Sequence, residues 1–96
     1  MSNLDTYFCL EAAANFYVNI RILSIEMQKL TQVRIEESEV AIIAYDLSLA
    51  GFFRRLRYDV EEEVYEDFRA PTEVTELDWF EITPEGRLEL NRLALE

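Results

Sequence analysis

Glu62 with Glu66, and Glu63 with Asp67, are carboxylate pairs four residues apart. On a helix that spacing brings the two members of a pair to the same side. Paired carboxyl groups do acid/base chemistry only where a pocket drives their proton affinities apart, so that one serves as acid and the other as base. The residues around them, in "VEEEVYEDF" (60–68), offer only Val60, Val64 and Phe68 as a narrow apolar stripe, which builds no such pocket. Histidine is absent, which removes the commonest general base and metal ligand. The one cysteine, Cys9, has no second thiol to pair with, and the acids show no calcium-loop spacing. The sequence therefore predicts a protein that is not an enzyme and that carries no metal or cofactor.

What remains for the carboxylates is electrostatics. The chain of 96 residues has a net charge of −11, unevenly placed. Residues 1–58 hold seven acids against six bases, whereas residues 59–96 hold thirteen acids against three. Asp59, Glu61, Glu62, Glu63, Glu66 and Asp67 put six carboxylates on ten residues. On a helix those ten residues span about 15 Å, or one charge per ~2.5 Å, against one per about 1.7 Å in duplex DNA. A solvated helix face normally interleaves both signs, yet Lys29 is the only lysine. Such a surface repels nucleic acid and anionic membrane and attracts basic protein surfaces.

The elements that would position these residues read as mainly helical, with a small β component, in one domain covering 1–96. No glycine or proline precedes Gly51. Cys9, Ala13, Phe16, Ile20, Leu23, Met27 and Leu30 follow at alternating steps of four and three, the seam of a coiled coil. The spacing predicts a helix over about 4–33, in preference to a strand through Val18, Ile20 and Ile22. A polar connection over 34–37 and a cap at Ser38 predict a second helix over about 38–57, with apolar positions Ile42, Tyr45, Leu49, Phe52 and Leu56 and with Gly51 inside it. The two helices would form a long antiparallel hairpin. The bases Arg54, Arg55 and Arg57 end the second helix, with Asp59 and Glu61 four residues on to answer Arg55 and Arg57. A third, acidic helix over about 59–69 would stop at Ala70 and Pro71.

Residues 78–92 predict a β-hairpin. In "FEITPEGRLEL" (80–90) Pro84 suits a type I turn and Gly86 a left-handed bulge position. The register sets Ile82 against Leu88, Phe80 against Leu90 and Asp78 against Arg92, with Glu81 opposite Glu89 as its flaw. The rival reading makes Thr83 an N-cap and Pro84 the first residue of a helix. "WFEITPEGRLEL" (79–90) also resembles the closing strand and last helix of winged-helix regulators.

These elements predict a non-enzymatic, cytoplasmic interaction protein, with no apolar run long enough to span a membrane. It would be a homodimer through Phe16, Ile20, Leu23, Met27 and Leu30. Asp59, Glu61, Glu62, Glu63, Glu66, Asp67, Trp79 and Glu81 would bind a basic, nucleic-acid-binding surface of a partner, with Trp79 as the aromatic anchor and without direct contact to nucleic acid. In size and charge the chain is similar to small phage inhibitors of CRISPR or restriction enzymes, and to some antitoxins, which implies a DNA-mimic inhibitor. The alternative is a small dimeric helical or winged-helix-like transcriptional regulator using Arg54, Arg55 and Arg57, or a structural adaptor whose interface is the long first helix.

Overall fold

The computed structural model of the chain describes residues 3–69 and 72–95. Among them four helices, α1 (Asn3–Ala12), α2 (Ile20–Thr31), α3 (Glu37–Leu49) and α4 (Pro84–Ala94), accompany four strands, β1 (Val18–Asn19), β2 (Phe53–Asp59), β3 (Val64–Asp67) and β4 (Asp78–Ile82). The chain is α+β, and the expected long helical hairpin is not present.

The helix predicted over 4–33 is two helices with a strand between them. Its first part ends in tight turns, in which Ala13 and Ala14 donate to the carbonyls of Leu10 and Glu11 at 3.2 Å. Three small residues in a row, Ala12 to Ala14, let the chain turn while buried. Arg87 Nη2 then holds the Ala14 carbonyl at 2.7 Å. Val18 and Asn19 pair with Phe80 and Trp79. Asn19 is extended, and its side chain accepts the Ile22 N–H at 2.8 Å, which starts α2 with a polar cap.

The second predicted helix stops at Leu49 instead of running to 57. Gly51, at φ +85°, takes the left-handed position just beyond the end of α3. Phe52 N–H reaches Leu47 O at 2.9 Å and Gly51 N–H reaches Ser48 O at 3.2 Å, the two bonds of a Schellman motif. The glycine is thus a helix stop. Arg54, Arg55 and Arg57 lie beyond it on β2, where successive side chains alternate between the faces of the sheet.

The expected acidic helix over 59–69 is the far half of a β2–β3 hairpin. Tyr58 pairs with Tyr65 and Arg57 with Glu66. The Asp59 carboxylate accepts the N–H groups of Glu61 at 2.9 Å and Glu62 at 3.2 Å, and Glu63 closes the turn at φ 57°. Val60, expected in a buried stripe, is 77% exposed. Pairing with β2 overrides the helix propensity of four glutamates, because propensity is a weak prior against tertiary hydrogen bonding. The stop expected at Ala70 and Pro71 lies outside the described residues.

At the C-terminal end β4 is the strand expected there, but a helix follows it in place of a second strand. Thr83 Oγ1 accepts the Gly86 N–H at 3.0 Å, and Pro84 occupies the first turn of α4. Gly86 is needed for space: a Cβ there would run into the carbonyl oxygen of Phe52. Glu81 faces Arg54 and Asp78 faces Arg57, so the like-charge flaw of the predicted register does not arise.

The antiparallel sheet has the order β1-β4-β2-β3. Val18, Phe53, Phe80 and Ile82 belong to the main core with Leu10, Leu23, Met27, Val40, Ala44, Leu47, Leu90 and Leu93 of the helices. Leu56 is fully buried on the opposite face of the sheet, outside that core, in register with Trp79.

Candidate interaction face

Helices α2 and α3 are joined by residues 32–36. Gln32, in the left-handed region at φ 59°, ends α2 with its N–H on Gln28 O at 2.7 Å, and the Ser24 hydroxyl donates to Ile35 O at 3.2 Å. Helix α3 buries Val40, Ala44 and Leu47. Its outward side carries Ile42, 64% exposed, Leu49, 69% exposed, and the half-buried Tyr45. The stripe predicted from Ile42, Tyr45 and Leu49 therefore exists with its orientation reversed, since it faces away from the core. Helix α3 has no base, and Glu36, Glu37 and Glu39 stand exposed at its start. The hairpin that follows exposes Glu61, Glu62 and Glu63 at its turn.

The arginines of β2 are engaged within the fold, though not by Asp59 and Glu61 as their sequence spacing implies. Asp78, fully buried, accepts Arg55 Nη2 at 2.7 Å and the Thr75 N–H at 2.8 Å on one oxygen and Arg57 Nε at 3.0 Å on the other. Arg55 also donates to the carbonyls of Thr72 and Glu73. The Arg57 guanidinium lies 3.8 Å from the centre of the Phe68 ring. Burial raises the proton affinity of Asp78, but the hydrogen bonds from Arg55, the Thr75 amide and Arg57 outweigh it and hold the carboxyl below its ordinary range. This cluster pins the segment 72–75 to the sheet. The spacing of Asp78 from the arginines, more than twenty residues, gave no sequence signal for it.

The predicted contact residues fall in three places. Asp59 and Glu61–Glu63 form the hairpin turn. Glu66 and Asp67 lie on β3, where Arg54 Nε meets Asp67 at 2.5 Å and keeps its carboxyl below the usual range. Trp79 and Glu81 share the outer sheet face with Tyr17, Tyr58 and Tyr65, whose rings meet at centroid distances of 4.8 to 5.6 Å. The Glu81 carboxylate pushes the Tyr17 hydroxyl up by its charge and by a hydrogen bond. Of the predicted seam, Ile20, Leu23 and Met27 are buried inside the chain, while Phe16 and Leu30 are exposed. Burial, with Asp5 adding to it, pushes the Cys9 thiol far above its ordinary value, which makes it a poor nucleophile. Among the described residues no group of three or more acids and thiols is placed to hold a metal ion, and no helix is long and apolar enough to cross a membrane.

Two helices joined by a short connection, then a hairpin whose sheet is completed by a strand from before the pair, is an arrangement found among solved structures. The chain is similar to a MarR-family transcriptional regulator from Silicibacter pomeroyi, with a TM-score of 0.64 and 19% identity over 99% of this chain and 51% of that one. The fold is winged-helix-like. The chain spans about half the length of that regulator. No family model matches, and no curated protein matches.

Two expectations are corrected by this fold. The exclusion of direct nucleic acid contact rested on charge, which bears on non-specific binding and not on fold. It does not stand for a chain with the fold of a transcriptional regulator. The DNA-mimic, anti-CRISPR inhibitor reading also fails, since neither the fold nor the comparisons support it. Its charge density assumed a helix rising ~1.5 Å per residue. In the observed hairpin Glu61, Glu62 and Glu63 lie in the turn, Asp59 ends β2, Glu66 and Asp67 lie on β3, where the rise is about 3.3 Å per residue, and Asp67 is answered by Arg54.

Proposed function

We propose that the chain is a cytoplasmic regulatory module on a winged-helix frame, acting on transcription as a dimer and without catalytic chemistry. The observation that supports this reading is the α2–α3 pair followed by the β2–β3 hairpin. In a helix-turn-helix the first helix crosses the backbone and the second is offered to the major groove. With α3 acidic, the bases that meet phosphate are Arg21 and Lys29 on α2 and Arg34 on the connection, all exposed. Three phosphate contacts give log K a slope of roughly −3 against log salt, at about 0.9 per phosphate. Fluorescence anisotropy with a random-sequence duplex tests the reading. Binding at low salt with that slope, lost in the Arg21→Ala/Arg34→Ala variant, supports direct contact. A flat titration at the lowest salt overturns it.

A second reading is an adaptor that uses α3, in place of the long first helix expected from the sequence; it is favoured by the composition of α3, whose outward side offers aliphatic groups and carboxylates in place of arginines. Its signature is a flat DNA titration combined with a protein complex that is lost in Ile42→Glu.

A further inference from the structure

The connection between α1 and β1, the end of β4 and the first turn of α4 close round a cavity of about 380 Å³ that the regulatory reading does not use. That volume is in the range of small-molecule sites. Ala13, Ala14, Phe16 and Ile82 supply apolar walls, with Phe16 50% exposed. Among the described residues the charged side chains lining it are Glu81 and Arg87, and Asn15 and Tyr17 add polar groups.

The two charges share the cavity without meeting, since no ion pair joins them among the described residues. Arg87 gives its Nη2 to the Ala14 carbonyl at 2.7 Å. Glu81 accepts Arg54 Nη1 at 3.3 Å and the Tyr17 hydroxyl. Each is therefore held in place by the chain, and a ligand that finds its partners already oriented pays less to bind. Both keep capacity to spare. A guanidinium has more N–H donors than one carbonyl uses, and a carboxylate more acceptor positions than two donors fill.

Charge then selects the ligand. An anion would be drawn by Arg87 and repelled by Glu81, and a cation the reverse. Arg54, behind Glu81, is itself answered by Asp67 at 2.5 Å. With that pair counted, two bases stand beside two acids, so the surroundings favour no net charge. A neutral molecule carrying separated opposite charges satisfies both sides. We propose that this cavity binds a free α-amino acid with an apolar side chain, as its zwitterion. Its carboxylate meets the Arg87 guanidinium, whose planar fork suits that group. Its ammonium meets Glu81, and its side chain lies among Ala13, Phe16 and Ile82. The site goes beyond the regulatory reading and does not depend on it.

Isothermal titration calorimetry of the full chain with L-leucine, L-methionine and L-phenylalanine tests the proposal. The expected result is saturable binding of at least one of them. Its N-acetyl derivative, which lacks the ammonium, and the matching amine, which lacks the carboxylate, should each bind weaker by roughly tenfold or more, the loss of one charged hydrogen-bonding group. Glu81→Gln should weaken the amino acid by a similar factor and leave the N-acetyl derivative no weaker than before, a difference that a merely structural role would not produce. The thermal unfolding curve of the variant is the control for folding. Failure of all three amino acids to bind overturns the proposal. So does equal binding of the two derivatives on the unaltered chain, or a folded Glu81→Gln variant that binds the amino acid as tightly. None of these outcomes bears on the anisotropy titration, so the two readings fail separately.

Discussion

The junction around Asp78 and the outward side of α3 are opposites in how their polar and apolar groups are answered. Around Asp78 one carboxylate takes two arginines and a backbone amide, and Arg55 goes on to two carbonyls. On α3 two large aliphatic side chains face solvent, and the N-cap residue Glu36 makes no side-chain capping bond. The first region is closed by contacts within the chain. The second keeps its contacts available. The difference separates residues whose contacts hold the fold together from residues that the fold leaves exposed, a separation that the sequence spacing of these residues does not reveal.

Breaking the closed region should produce the largest effect. Asp78→Asn leaves two arginines without their carboxylate, and removing one partner of a buried pair costs about 3–5 kcal/mol, measurable by urea unfolding at neutral pH. Asp78 has a depressed pKa in the folded state, so its stabilisation is present above the unfolded carboxylate value of about 3.9 and is lost as pH falls through the folded value below that. The acid arm of the stability curve should therefore be steeper in the wild type than in Asp78→Asn. Equal arms would show that the carboxylate is not the group that matters there.

A matched pair of truncations sharpens the contrast. Leu23→Ala, in the main core on α2, should cost about 2–5 kcal/mol. Leu49→Ala, on the outward stripe, should stay within about 0.5 kcal/mol. A large loss at Leu49 would mean that the stripe belongs to the chain's own core.

The smallest effects lie at the helix starts. Asn19→Ala removes the cap of α2 and should cost about 1 kcal/mol. Glu36→Ser supplies a short hydroxyl where α3 has no capping bond and should gain a fraction of that amount. Thermal melts of the two variants should move in opposite directions.

Much of β4 was legible, because Phe80 and Ile82 alternate with Trp79 and Glu81 and no other period fits them. Helix α4 was legible as one of two readings, since Thr83-Pro84 starts a turn and a helix equally well. What decides between them is the Phe52 carbonyl beside Gly86, a contact made across more than thirty residues. The direction of α3 was not legible: with Val40, Ala44 and Leu47 on one side and Ile42, Tyr45 and Leu49 on the other, periodicity has no preferred face to find. The acidic hairpin was misread because Val60, Val64 and Phe68 stand four apart, and only pairing with β2 shows that the spacing is incidental. The outward side of α3 was hidden in a similar way, as its residues look like core residues until the core is seen to be full without them.

Thr83 gives the fold a further property. Its hydroxyl donates to Gly51 O at 2.7 Å while accepting from Gly86, and its own N–H holds Phe52 O at 3.0 Å. One side chain therefore fastens the end of α3, the approach to β2 and the first turn of α4 together. These three segments should open as a single cooperative unit. Hydrogen exchange at Thr83 and Gly86 would then share one opening rate.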